Sequence, residues 1–206
     1  LDSDGDADVV LINDTWWPGH EGRGAVPTSA AFANDGSGYF SNVTDGSGLD
    51  VPVHGMGITA ADYDADGDKD LFLTTLGANL LLQQLSPWHY ENVAAAAGVE
   101  GSLWQDEEGR SHPEWSTAAT WIDVDDDGLL DLFVANYVQW SPENDLYFSF
   151  DGENKSYATP PQYQGSTPRL YRNLGDGTFE EVTEVAGVFL PEAKSMGVAV
   201  ADFDDD

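Results

Sequence analysis

Asp62-Tyr63-Asp64-Ala65-Asp66-Gly67-Asp68-Lys69-Asp70, followed at once by Leu71-Phe72-Leu73, is the stretch that decides the fold. The same register returns in Asp123-Val124-Asp125-Asp126-Asp127-Gly128-Leu129-Leu130-Asp131, with Leu132-Phe133-Val134 behind it. Asp2-Ser3-Asp4-Gly5-Asp6-Ala7-Asp8 fits the pattern without its first position, and Asp202-Phe203-Asp204-Asp205-Asp206 fits its opening. Carboxylates therefore stand at positions one, three, five and nine, with glycine at six. In a tight loop alternate side chains converge on one cavity, and glycine admits a reversal that a Cβ obstructs.

Such a cluster of hard oxygens predicts Ca²⁺. The candidate ligands are Asp62, Asp64, Asp66, Asp68 and Asp70 in one loop. In the next they are Asp123, Asp125, Asp127, Asp131 and the main-chain carbonyl of Leu129. The partial copies contribute Asp2, Asp4, Asp6 and Asp8 at one end and Asp202, Asp204 and Asp206 at the other. Transition metals favour His or Cys, and neither lies nearby. An EF-hand needs Glu at position twelve and flanking helices, but Leu73 and Val134 stand there inside apolar runs. Of 38 acidic residues, 18 fall in these four segments, which separates ligand clustering from a scattered solubilising or salt-adapted surface. Close-set carboxylates repel one another without a cation, so metal binding is expected to contribute to folding itself.

Working outward, two further elements repeat. Leu170-Tyr171-Arg172-Asn173-Leu174-Gly175-Asp176-Gly177-Thr178-Phe179 has an earlier copy in Phe32-Ala33-Asn34-Asp35-Gly36-Ser37-Gly38-Tyr39-Phe40, and a degenerate one begins at Leu81. Residues 56–61, 117–122 and 196–201 form an apolar run before each acidic loop. Equivalent aspartates at 62, 123 and 202 give approximate units of 1–61, 62–122 and 123–201, with 202–206 opening another. The longest unit holds an insertion between Val138 and Arg169. About four short β-rich runs per unit, bounded by Gly, Asp and Asn, predict an all-β fold of β-propeller blades, each of four antiparallel strands. Val93 to Ala97 reads as a turn or one helical turn. About three and a third units are present, too few to close a ring, and both ends cut an acidic loop, so the chain is expected to be a piece of a longer protein.

The 206 residues are 41% hydrophobic and carry a net charge of −31, enough apolar material for a core under a strongly acidic surface. That charge disfavours nucleic acid and anionic membranes as partners. The absence of cysteine excludes disulfides and thiolate chemistry, and no apolar run is long enough for a membrane span.

The acidic loop joined to Leu-Tyr-Arg-Asn-x-Gly-Asp-Gly-Thr-Phe resembles FG-GAP (VCBS) repeats. More narrowly, 115–206 is similar to bacterial relatives of cartilage acidic protein, a group that often carries an ASPIC/UnbV domain. The resemblance implies a seven-bladed, integrin-α-like propeller with Ca²⁺ in its hairpin loops. It also implies extracellular, cell-surface or periplasmic residence and adhesion or recognition rather than catalysis. The chain departs from those relatives where Phe148 and Ala158 stand in place of a cysteine pair.

No catalytic constellation emerges. His20, His54, His89 and His112 lack metal-ligand spacing, and Gly55-Met56-Gly57 opens a blade strand rather than a dinucleotide loop. The expectation is a non-enzymatic Ca²⁺ module with a protein partner or self-association. The alternatives are a carbohydrate-binding propeller, with aromatics of 12–28 and 138–168 stacking on glycans, and a polysaccharide-acting enzyme. Trp16, Trp17 and Trp140 are the best candidates for an exposed contact surface.

Overall fold

Leu71-Phe72-Leu73 is apolar at every position, the pattern of a short strand covered on both faces. The computed structural model describes residues 1–2, 4–17, 22 and 24–202. It places this run in β5 (Asp70–Thr75), every residue of which is buried. β5 pairs with β4 (Gly55–Ala61) before it and β6 (Leu80–Ser86) after it, and β7 (His89–Asn92) completes an antiparallel sheet. A second four-stranded sheet repeats this order with β10 (Ser116–Ile122), β11 (Asp131–Asn136), β12 (Arg169–Asn173) and β13 (Phe179–Glu181). Near the start, β1 (Val9–Leu11), β2 (Ala30–Asn34) and β3 (Phe40–Asn42) form three strands of the same meander. The fold is all-β, and its sheets are consistent with propeller blades that do not close into a ring.

Alternation within β5 and β6 explains how the blades stack. Leu71, Leu73, Leu80 and Leu82 face a core shared with Ala31 and Leu49 of the preceding blade. Phe72 and Leu81 face the other way, into a core with Leu132, Val134, Tyr171 and Phe179 of the following one. Gly57 has a steric reason to be glycine, since a Cβ there would lie 2.9 Å from the Thr117 carbonyl oxygen of β10. β4 and β10 thus run close together, one from each blade. Polar groups pin the same junction. Glu114, almost fully buried, accepts the Arg169 guanidinium (Nη2 to Oε1, 2.6 Å) together with the Asn136 amide and the Ser102 N–H.

Each sequence unit counted from one acidic loop supplies three strands of one sheet and the first strand of the next. The stretch at Val93–Ala97 is a single helical turn, α1 (Ala94–Ala97), closed by Gly98 in the left-handed region. A short hairpin of β8 (Leu103–Gln105) and β9 (Ser111–Pro113) was not foreseen from the sequence. Residues 196–201, expected as a strand, are in no ladder among the described residues. In the other blades the equivalent strands, β4 and β10, pair with the strand beyond the acidic loop.

Candidate metal centre

The acidic loops join β4 to β5 and β10 to β11, and a third precedes β1. Their carboxylates play the same part at matching positions. At position five, Asp66 Oδ1 accepts the N–H of Asp68 at 2.9 Å, Asp127 Oδ1 that of Leu129 at 2.8 Å, and Asp4 Oδ1 that of Asp6 at 2.9 Å. At position one, Asp62 Oδ2 accepts the Gly67 N–H at 3.1 Å and Asp123 Oδ2 the Gly128 N–H at 3.0 Å. Gly5, Gly67 and Gly128 adopt φ of 98°, 100° and 87°, the left-handed conformation that position six requires. Position four is also left-handed, at Ala65 (φ 60°) and Asp126 (φ 58°), where no glycine signals it.

Position nine is a strut. Asp70 and Asp131 are fully buried. Asp131 Oδ2 accepts the N–H of Val124 at 2.9 Å and its Oδ1 that of Asn173 at 2.8 Å, tying the loop to the third strand of its blade. Asp70 does the same with Tyr63 and Gln84, at 3.4 and 2.8 Å, and Asp8 Oδ1 accepts from Asn34 at 3.0 Å. The amide ending that third strand then reaches back to the preceding blade. Asn173 Nδ2 donates to the Tyr63 carbonyl at 2.9 Å, and Gln84 Nε2 donates to that of Leu1 at 2.8 Å. Tyr63 and Leu1 occupy position two of successive loops, so the loops at 1–8 and 62–70 are each braced by their own blade and by the next.

Two groups of carboxylates come together among the described residues. Oxygens of Asp62, Asp64 and Asp66 lie within 4.8 Å of one another, as do those of Asp123, Asp125 and Asp131. Two oxygens on one Ca²⁺, each about 2.3–2.6 Å away, can be at most about 5 Å apart, so both groups fit a shared ion. Asp62 Oδ1 is buried without any hydrogen-bond partner, which is costly for a carboxylate oxygen unless a cation meets it. Of the other expected ligands, Asp68 and Asp127 stand in the same loops but outside these groups, and Asp70 is engaged by backbone N–H groups. Asp2, Asp4, Asp6 and Asp8 do not gather into such a group among the described residues. Asp2 accepts the indole N–H of Trp88 at 3.1 Å, which holds its carboxyl below the usual range. Asp202 is described, while Asp204 and Asp206 lie outside the described residues.

Burial raises the Asp70 carboxyl to about 6; the Gln84 N–H opposes this, and the charges of Asp64 and Asp66 add to it. Desolvation likewise pushes the Tyr63 hydroxyl up to about 12, reinforced by the same acidic neighbours. A local excess of negative charge around a dry floor is the setting in which a divalent cation gains most.

Two histidines take packing roles, while His89 is exposed on β7. His112 is buried against Trp104 with its Nε2 2.8 Å from Asp106, and His54 stacks on Trp17; His20 lies outside the described residues.

The FG-GAP-like repeat family model matches residues 1–73 and 123–206. The stretch it passes over, 74–122, is where Gln84 replaces the asparagine of the other copies and where the β8–β9 hairpin is added. No curated protein matches the chain.

Proposed function

The chain belongs to the FG-GAP-like repeat family, and on that footing we propose that it is a Ca²⁺-pinned propeller module for recognition, without enzymatic activity of its own. The observation that carries this reading is the recurring loop in which Asp62, Asp64 and Asp66, and again Asp123, Asp125 and Asp131, converge. Such a site is made only of carboxylate and backbone oxygens. It neutralises its own repulsion by taking up a hard cation, and the ion then fixes the hairpin between the first two strands of a blade. The ordered blades present their loops to a partner protein or to a like chain, and an extracellular, cell-surface or periplasmic setting suits Ca²⁺ sites of this kind, whose affinities in extracellular modules are about 10⁻⁴–10⁻³ M.

Isothermal titration of chelator-treated protein with CaCl₂ tests the reading. Saturable binding to at least two sites is expected, with the combined Asp64→Asn and Asp125→Asn variant losing both. Heats no different from buffer dilution would refute it.

A further inference from the structure

At the end of the blades opposite the acidic loops, segments far apart in sequence converge on one cleft of about 480 Å³. Trp17 comes from the segment before β2, Trp115 leads into β10, Tyr137 follows β11, and Trp140 and Tyr163 come from the long insertion. Their rings form a continuous wall. Trp17 lies face to face with His54 at a centroid distance of 3.9 Å and edge-on to Trp140 at 5.5 Å. Trp140 packs on Trp115 at 5.7 Å, and Trp115 meets Tyr137 edge-on at 5.4 Å.

Carboxylates fix this wall at its rim. Asp14 Oδ1 lies 2.5 Å from His54 Nδ1, and its side chain is 65% exposed. Asp145 Oδ1 accepts the Trp140 indole N–H at 3.1 Å and the Tyr163 hydroxyl at 2.9 Å, while its Oδ2 accepts Lys155 Nζ at 2.5 Å.

The chemistry of the lining narrows the occupant. Mostly apolar walls with a few fixed polar groups are the mark of a small-ligand site, and the volume falls in the usual range of about 300–1,000 Å³. A protein partner would need about 800 Å² of surface on each side, far broader than this concavity. An organic cation would need a free carboxylate inside the cleft, but Asp145 is already paired with Lys155 and Asp14 stands at the exposed rim with one oxygen on His54 and the other open to solvent. An anionic polysaccharide meets a chain of net charge −31. A neutral sugar ring suits all three features: its C–H face packs on an indole, and its hydroxyls donate to an exposed carboxylate and accept from phenol groups.

We propose that this cleft binds neutral glycans, with Trp17 and Trp140 packing on the sugar ring and Asp14 accepting its hydroxyls. The inference deepens the recognition reading by giving it a ligand class, and it uses none of the Ca²⁺ loops.

The test is an array of neutral, amino and uronic oligosaccharides probed with the full chain, then titration of a retained neutral oligosaccharide by tryptophan fluorescence. Neutral glycans alone should be retained, and Trp17→Ala and Trp140→Ala should each weaken binding about tenfold or more. Trp140→Phe, which keeps a ring in place, should restore most of the affinity, and a melting temperature for each variant separates lost binding from lost folding. Asp64→Asn should bind glycan as the parent does, so failure of the Ca²⁺ reading leaves this one standing. Retention of no neutral glycan at millimolar concentration, retention of charged glycans only, or affinity unchanged in both tryptophan-to-alanine variants would overturn it.

Discussion

The two ends of the blades are built on opposite principles. At one end Asp62, Asp64 and Asp66 sit within five residues, and their meeting follows from the turn they occupy. At the other, Trp17 and Trp140 meet only because separate blades bring their loops together. A local constellation repeats with the sequence and is legible from spacing. A convergent one occurs once and becomes visible only after folding. The comparison also separates two kinds of aspartate inside one loop: the buried strut at position nine, held by backbone N–H groups and in Asp131 also standing among the gathered carboxylates, and the outer carboxylates left to gather around an ion.

That separation can be broken by substitution, with the largest effect at the strut. Asp131→Ala leaves the N–H groups of Val124 and Asn173 without acceptors in a buried setting. Each costs about 1–3 kcal/mol, so the variant should lose about 2–6 kcal/mol in urea unfolding without Ca²⁺, and more with it because Asp131 also stands in the Ca²⁺ group. A loss confined to Ca²⁺-containing buffer would show that Asp131 acts as a ligand alone and that its backbone hydrogen bonds contribute no stability.

Acidity sharpens the same contrast. In the metal-free protein the folded state holds the Asp70 carboxyl near 6, above its unfolded value of about 4, so folding takes up a proton between those pH values. This group therefore opposes folding by on the order of 2–3 kcal/mol at pH 7, a penalty relieved as pH falls from 7 toward 4. In EGTA, acidification from pH 7 to 5 should stabilise the parent more than Asp70→Asn. Equal gains in both proteins would assign the effect to general charge repulsion.

The outer carboxylates come next. Asp64→Asn should remove Ca²⁺-dependent stability of about 1–3 kcal/mol at saturating ion and change little in EGTA. The smallest effect belongs to position four. Ala65 holds a left-handed φ of 60°, so Ala65→Gly should stabilise by up to about 1 kcal/mol, measured by its shift in unfolding midpoint.

These contrasts mark what the sequence could and could not convey. The recurring Asp-Gly register located the hairpins, the apolar triplets located the strand beyond each of them, and Asn34 and Asn173 stood where their amides later proved to clamp the loops. Spacing placed a carboxylate at position nine but could not say that its oxygens face the backbone, because this depends on the third strand arriving beside it. The left-handed turn at Ala65 and Asp126 went unseen because neither residue is glycine. The run at 196–201 carries strand composition but joins no ladder among the described residues, since composition alone does not supply the pairing that makes a strand. The β8–β9 hairpin was missed because Asp106, which accepts the N–H groups of Glu108 and Arg110 in its turn, belongs to no repeat. The sequence singled out Trp17 and Trp140 as aromatics in long loops, but not their meeting in one cleft, because nothing local relates residue 17 to residue 140.

Thermal unfolding of the full chain in about 10 mM CaCl₂, well above the expected dissociation constants, and in excess EGTA tests the central claim most directly. With two loops saturated, the ion should contribute several kcal/mol and raise the melting temperature by more than about 5 °C, and Asp64→Asn combined with Asp125→Asn should abolish the difference while Trp17→Ala preserves it. Superimposed melting curves for the parent protein in the two buffers would contradict the account.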